Sequence, residues 1–307
     1  MTEYKPESAY RCAQDLTFGQ LEEAARTGEI LQSTALAFDQ SRRLRILAGG
    51  QIVMMEPSEC AEGLAEGETR PIAVLSRVGR PVCFMVQSGP QGGLVVSRRA
   101  AQQRCRTEYL DLLQPGDVVP CEVNHIEPFG AFCDVGCGIS ALLPIDCLSV
   151  SRIQSPADRV DVGQTLFCAV KSRDEQGRLV LTLRELLGTW QQNARQFSVG
   201  DTVVGVVRSI EPYGVFIEIA PNLAGLAEPA GNLSLGQTVS VFIKNILPDR
   251  MKIKLVVVNQ NLPQPMRFPL MYQQTSGHIS RWDYSTPESG KEIATVFDSH
   301  PLTSPCV

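Results

Sequence analysis

The sequence has no long apolar run, and its first residues lack the pattern of a signal peptide, a charged stretch followed by an apolar one. None of its apolar runs reaches the roughly 18 residues that a membrane helix needs, and residues 1–10 carry charges instead of an apolar stretch. We therefore expect no signal peptide, no membrane segment and a cytoplasmic protein. The 307 residues, 43% hydrophobic and 20% charged, suffice for two or three globular domains.

An excess of positive charge is also missing, because 33 Asp and Glu outnumber 28 Lys and Arg and give a formal net charge of −5. Proteins that bind nucleic acids usually have a basic surface, so this charge argues against strong, nonspecific binding of duplexes. It leaves open a mode of binding that rests on base stacking and a few well-placed cations.

The ten cysteines lack the spacing of the common cysteine frameworks. A disulfide framework is not expected in a reducing compartment, nor in a chain large enough to bury its own core. A zinc site needs clustered pairs of ligands, whereas the closest pair, Cys133 and Cys137, has no second pair at matching spacing. We expect no metal and mostly small, buried, apolar cysteines.

Common catalytic patterns are missing as well. None of the three histidines lies in a metal or nucleophile motif, and no Gly-x-Ser-x-Gly is present. Ser289–Glu292 is not a phosphate-binding loop, because the preceding glycine and the following Ser or Thr are absent. We expect no catalytic residues, no cofactor and no enzymatic activity. An RNA-processing enzyme with an unrecognised site is the enzymatic alternative.

What the sequence does contain is an internal repeat. The segment Ile126–Phe132, Ile-Glu-Pro-Phe-Gly-Ala-Phe, returns as Ile210–Phe216, Ile-Glu-Pro-Tyr-Gly-Val-Phe, and a Gly-Asp pair precedes both copies at the same distance. Gly163–Thr165 returns as Gly236–Thr238, so the second copy is shorter between these landmarks. Landmarks at a constant offset indicate duplication. A third copy, nearer the N-terminus, is fainter and lacks the aromatic motif.

Each copy predicts about five short strands in about 70 residues, which favours a small closed barrel over an open sheet. Apolar residues at helical spacing predict helices over Arg98–Leu113 and Thr182–Phe197. A less regular helix is expected from about Glu7 to Ala25, interrupted near Gly19. The predicted fold is mainly β, with three five-stranded antiparallel barrels in a row, joined by α-helical linkers.

These features divide the chain into seven predicted segments. They are an N-terminal helical segment at 1–25, a degenerate barrel at 26–97, a helical linker at 98–114, a barrel at 115–183, a helical linker at 184–197, a barrel at 198–259 and a C-terminal extension at 260–307.

The copies at 115–183 and 198–259 resemble S1 domains, an RNA-binding subclass of the OB fold. The resemblance rests on the Gly-Asp start, the aromatic motif, the Gly-Gln pair before the fourth strand, and Asp174–Leu179 leading into the fifth. The whole chain resembles short S1 homologues from clostridial-type bacteria. The resemblance implies that the partner is single-stranded RNA, messenger RNA above all, and that binding occurs in translation at or near the small ribosomal subunit.

In the S1 family, two aromatics, a histidine twelve residues later, and an aspartate and an arginine four apart form an RNA-binding face. The matching residues in the middle copy are Phe129, Phe132, Asp174 and Arg178. Those in the last copy are Tyr213, Phe216 and Lys252. Pro144 and Glu228 stand in the two histidine places, so that contact is missing from both copies.

Two aromatics three apart on a regular strand would face opposite sides. A bulge at Gly130 or Gly214 would shift the alternation and bring both rings to the outer face. Bases stack on such rings with about 1–3 kcal/mol each. The alternative is that these rings belong to the barrel core, because aromatic side chains bury large areas and dominate the packing of protein cores.

Basic residues in the last copy, Lys244, Lys252 and Lys254, alternate with apolar residues. This alternation indicates half-buried strands with a solvated basic face, or a track that contacts phosphates. The arginines at 42–45 and 98–106 are interpreted as ordinary surface charge. The competing function is a protein–protein adaptor of the ribosome or of the RNA-degradation machinery, without direct RNA contact.

Overall fold

The computed structural model describes residues 4–89, 93–229, 231–260, 262 and 266–297. These residues fall into two compact units. The first unit comprises residues up to 113 with 120–122 and 134–140, and the second comprises 114–119, 123–133 and 141 onwards. Within the described ranges, none of the helices has the length and apolarity needed to cross a membrane.

The first unit is built on a six-stranded sheet. Its strands, β1 to β6, are Arg11–Cys12, Ile30–Phe38, Leu44–Ala48, Gln51–Met55, Pro81–Ser88 and Leu94–Ser97. β2 pairs antiparallel with β3 and β5, and β1 pairs in parallel with the first residues of β2. The hydrogen-bonded order is β4-β3-β2-β5-β6, so among the described residues this sheet lacks the closing ladder of a complete barrel.

Three helices accompany this sheet, α1 at Phe18–Thr27, α2 at Ile72–Leu75 and α3 at Arg98–Glu108. Helix α1 begins where a capping box fixes it: Thr17 accepts a hydrogen bond from the Gln20 N–H, and the Gln20 side chain accepts one from the Thr17 N–H. It ends at Gly28, whose φ of 70° suits glycine. The predicted interruption near Gly19 is wrong, because Gly19 lies inside α1 and only a 3₁₀ turn and β1 precede the cap.

Strands β7 to β11 close into the middle barrel. They are Val118–Glu127, Gly130–Asp134, Ser140–Pro144, Thr165–Arg173 and Leu179–Thr182. Around the barrel the order is β10-β11-β9-β8-β7. β10 and β11 are antiparallel, whereas β9 meets β11 in parallel, with Leu142 opposite Val180. Short helices α4, Ile145–Leu148, and α5, Trp190–Ala194, follow β9 and β11.

Strands β12 to β16 close into the last barrel. They are Thr202–Glu211, Gly214–Ala220, Leu223–Ala227, Thr238–Leu247 and Lys252–Asn259. The order is β12-β13-β14-β16-β15, again with one parallel pair, β14 with β16. Branched side chains such as Val207, Ile217 and Val241 are fully buried in its interior. A hairpin of β17, Arg281–Asp283, and β18, Ala294–Val296, comes after it.

The fold class is confirmed as mainly β with tandem five-stranded barrels, although each closed barrel contains one parallel contact. The linker at 184–197 is less helical than predicted. A 3₁₀ turn at Arg184–Leu187 ends at Gly188, whose φ is 86°, and α5 follows with five residues. The seven segment boundaries stay predictions, and residues 1–3 and 298–307 of the terminal segments lie outside the described residues.

The cysteines behave as the sequence predicts. Nine of them are described, all as free thiols, and eight of the nine are buried, with Cys12 exposed. They contribute small apolar volume to the interiors of the two units.

Candidate nucleic-acid interface

The aromatic motif of the last barrel forms a tight hairpin turn. Glu211 at the end of β12 pairs with Gly214 at the start of β13, which leaves Pro212 and Tyr213 as the two turn residues. Tyr213 therefore lies off the strand and is 67% exposed. The predicted bulge at Gly214 does not place the ring, because the register shift in this hairpin falls on β12.

Glycine is required after each exposed aromatic because the backbone of the next strand passes close by. A Cβ atom on Gly214 would lie 2.6 Å from the carbonyl oxygen of Ala227, and one on Gly130 would lie 2.6 Å from that of Leu143. Contacts of this length to backbone do not occur in folded proteins. The glycine of the motif thus serves close strand packing in both barrels, and the turn presents the aromatic.

The four predicted aromatics form two matching pairs on the barrel surfaces. The ring centroids of Phe129 and Phe132 are 6.0 Å apart and those of Tyr213 and Phe216 are 6.2 Å apart, both edge to face. Phe129 is 55% exposed, and Phe132 and Phe216 are half-buried. Edge-to-face packing holds the outer ring, Phe129 or Tyr213, which stays largely exposed. None of the four lies in a barrel core, so the core alternative is wrong for these rings.

On the last barrel the aromatic pair continues into a row across three strands. Phe216 on β13 stands opposite Leu226 on β14, which stands opposite Lys254 on β16. Residues paired in this way project from the same face of a sheet at spacings of about 4.8 Å. Phe216 and Leu226 are half-buried and Lys254 is exposed. These three side chains therefore lie on the outer surface of the barrel, with the Phe216 ring at one end of the row and the Lys254 cation at the other.

The three lysines of the last barrel lie where the alternation predicts. Lys244, Lys252 and Lys254 are exposed, while Ile243, Ile253 and Leu255 between them are buried. In the part of the chain that the structure describes, none of the three lysines has an ion-pair partner. Their charges are available to an anion from solution.

The cation predicted for the middle barrel, Arg178, is held differently. Asp174 and Arg178 lie in the turn between β10 and β11, and Arg178 Nε donates to Asp174 Oδ2 at 2.7 Å. Although desolvation raises the pKa of Asp174, hydrogen bonds from the Arg178 side chain and backbone outweigh it and leave this pKa below its usual value. The carboxylate stays charged and offsets the charge of Arg178.

One residue of this surface is missing from the sequence prediction. His125 on β7 lies over Phe132 with ring centroids 6.4 Å apart and planes 22° from parallel, and its Nε2 lies 2.7 Å from Glu127 Oε1. The corresponding residue of the last barrel, Ser209, stands opposite Phe216. A two-residue hairpin turn fixes which residue of the first strand faces the inner aromatic of the second strand. The length of the turn was therefore the sequence signal that would have identified His125.

The arginine clusters of the first unit are paired with acids. Ion pairs join Arg43 to Asp39, Arg99 to Glu59 and Arg106 to Glu62. The interpretation of Arg98 as surface charge is wrong. Its side chain is 3% exposed and its Nε donates to Glu7 Oε1 at 2.7 Å, because helix α3 turns it toward the interior of the unit.

A cavity of about 530 Å³ gathers several predicted residues of the last barrel. Tyr213, Phe216 and Lys252 all line it, together with Arg250 from the turn before β16. Lys244 and Lys254 do not line it. The cavity thus brings the two rings and one of the lysines together, on the same side of the barrel as the aromatic hairpin.

Comparisons with known proteins agree with the fold of the middle barrel. Residues 112–184 match the family described as S1 RNA binding domain. The chain is similar to the small ribosomal subunit protein bS1 homolog of Bacillus subtilis, with 29% identity over 212 residues, 66% of this chain and 54% of that protein. It is also similar to the small ribosomal subunit protein bS1 of Staphylococcus aureus, with 31% identity over 181 residues, 53% of this chain and 46% of that protein.

The chain thus spans about half the length of these curated relatives. Among solved structures, a multidomain protein with nucleic acid binding domains from Streptococcus pneumoniae aligns with 77% of this chain and 75% of that chain, at 12% identity. Its TM-score of 0.26 is too low to show a common fold.

Proposed function

We propose that this chain, whose residues 112–184 form an S1 RNA-binding domain, binds single-stranded RNA on the outer faces of its two closed barrels. The observation that carries the proposal is the exposed Tyr213 ring, held edge to face by Phe216, beside Lys252 in one cavity. A base stacks on the open face of the ring, and the lysine contacts a neighbouring phosphate.

The proposed contacts fall into two groups. The stacking residues are Phe129, Phe132, Tyr213 and Phe216. The polar residues are Asp174, Arg178, Lys244, Lys252 and Lys254. Rings stack only on bases that are not already stacked and paired in a duplex, and the net charge of −5 disfavours a mode that rests on phosphates alone. Both arguments favour a single strand over a duplex.

The biological setting is also part of the proposal. The relatives are named as proteins of the small ribosomal subunit, which supports binding of messenger RNA during translation, at or near that subunit, in the cytoplasm. The role is binding rather than catalysis, since these relatives are named for a ribosomal subunit and not for a reaction.

The test is a titration of fluorescent single-stranded RNA, with a duplex of the same sequence as control, across a range of salt concentrations. Each phosphate contact contributes a slope of about −0.7 in a plot of log K against log salt, so three or four contacts give roughly −2 to −3. Single strands should bind more tightly than the duplex. A slope near zero, or no binding of either RNA, would favour the protein–protein adaptor.

A further inference from the structure

The cavity beside Tyr213 has walls that do not belong to the last barrel. Ser151 and Arg152 come from the segment after α4, and Lys291 and Ile293 come from the segment between β17 and β18. The barrel supplies the opposite wall. The volume of about 530 Å³ lies in the range of small-molecule sites, about 300–1,000 Å³. One nucleotide is a ligand of this scale.

Buried side chains hold the inner wall of the cavity in place. Trp190 is 3% exposed and Tyr284 is 5% exposed, and the Tyr284 hydroxyl donates to the carbonyl oxygen of Asn222. Asn222 in turn donates from its side chain to the carbonyl oxygen of Arg184. These bonds fix the aromatic wall before any ligand arrives, and a preformed wall lowers the cost of binding.

The charges that line the cavity divide into a neutralised set and a free set. Arg208 is buried and donates to Glu218 at 2.7 Å, with Asp158 at 3.3 Å, so its charge is compensated. Glu211, the acid in the lining, accepts a hydrogen bond from the neutral Ser209 hydroxyl, which leaves its negative charge in place.

The free set consists of exposed cations. Arg152, Lys252 and Lys291 are exposed, and no ion pair to any of them occurs within the described ranges. Arg250 is exposed and, within the same ranges, forms an ion pair with its neighbour Asp249 at 3.6 Å. The cavity therefore has an excess of positive charge in a chain whose net charge is negative. Its ligand should be an anion with an apolar or aromatic part.

We propose that this cavity binds one nucleotide of the RNA strand, next to the base that stacks on Tyr213, and that Arg152 and Lys291 hold the phosphate of that nucleotide. The proposal rests on the proposed RNA binding and extends it, because it assigns contacts to residues outside the barrel. The RNA site of the last barrel is thus completed by the segment before β10 and by the segment before β18.

The test uses the full chain with Arg152→Ala and Lys291→Ala, singly and together, and oligouridylates of increasing length as probes. The double variant should weaken binding about two- to thirtyfold, the range for two exposed charge contacts, and flatten the salt slope by about 0.7, because both residues are proposed to hold one phosphate. The wild-type chain should gain affinity when the probe is long enough to fill the cavity, and the double variant should not show that gain.

Arg195→Ala is the matched control, because Arg195 is exposed, lies in the same unit and does not line the cavity. Its affinity should equal that of the wild type, and Arg152→Lys with Lys291→Arg should restore most of the slope. All variants should melt at the wild-type temperature, since the altered side chains are exposed.

Two results would overturn the proposal. If the double variant kept the wild-type affinity and salt slope, Arg152 and Lys291 would not belong to the site. A loss of affinity in Tyr213→Ala would in that case still support RNA binding by the barrel. Uridine monophosphate that binds as tightly as the longest probe would make the cavity a site for free nucleotides. If neither the double variant nor Tyr213→Ala changed RNA affinity, the proposed function itself would fail.

Discussion

The middle and last barrels share one hairpin design but surround it with different charges. In the middle barrel His125 adds a third ring beside Phe129 and Phe132, and the exposed cation of the β10–β11 turn is tied to an acid. In the last barrel, two rings lie beside exposed lysines that have no acid partner in the described part of the chain. The same fold thus presents a surface rich in rings and a surface rich in free cations.

The difference can be traced to single positions on the strand that closes each barrel. Val180 stands opposite Leu142 in the middle barrel, and Lys254 stands opposite Leu226 in the last one. A valine leaves the row apolar, whereas a lysine ends it with a charge. We infer that the last barrel supplies most of the phosphate contacts and that both barrels stack bases.

The largest effect on RNA affinity should come from Tyr213→Ala. Loss of a stacking ring costs about 1–3 kcal/mol per base, which is about a 5- to 150-fold loss of affinity. Stability should change by less than about 0.5 kcal/mol, because the ring is largely exposed. Binding and thermal unfolding should be measured on the same sample. Tyr213→Phe, which keeps the ring, should bind like the wild type, and a lowered melting temperature in Tyr213→Ala would contradict the surface role.

The corresponding change in the middle barrel, Phe129→Ala, should have a smaller effect, at the lower end of about 1–3 kcal/mol. The reason is that Arg178, the cation predicted for this barrel, is bound to Asp174 and therefore offers less charge to a phosphate. The same titration measures it. If Phe129→Ala cost more affinity than Tyr213→Ala, the ranking of the two barrels would be reversed.

An exchange of one charge between the barrels should shift the salt dependence in opposite directions. Lys254→Val should flatten the slope of log K against log salt by about 0.7, and Val180→Lys should steepen it by about the same amount. Both positions lie on outer faces, so the fold should tolerate either residue. The double exchange should return the slope to the wild-type value, and unchanged slopes in both single variants would exclude these positions from the RNA site.

The smallest effect should come from His125→Ala. The ring is exposed and lies over Phe132, so its loss removes an aromatic pair worth about 0.5–1.5 kcal/mol at most, shared between stability and RNA affinity. Ser209→Ala is the matched control at the same place of the last barrel, where no ring is present. Equal losses of affinity in the two variants would show that His125 adds nothing as a ring.

The sequence predicted those parts of the site that depend on neighbouring residues. The hairpin is local, so the repeat predicted both aromatic pairs, and alternation along a strand predicted the exposed lysines. His125 is also close in sequence to the aromatic motif. It was missed because the length of the turn was not used to identify the residue of β7 that faces Phe132. Arg98 was misread because its partner Glu7 is distant in sequence. The cavity could not be predicted, since Arg152 and Lys291 are distant in sequence and line the same cavity only because their segments pack around the last barrel.

Photocrosslinking shows whether RNA lies on the last barrel beside Tyr213. Oligouridylate that carries 5-iodouridine is irradiated with the full chain, and the adducts are located by mass spectrometry. The main adduct should form on Tyr213 and a weaker one on the middle barrel at Phe129 or His125, and the main adduct should be lost in Tyr213→Ala. Adducts confined to residues 26–97, or none on either closed barrel, would contradict this placement of the RNA.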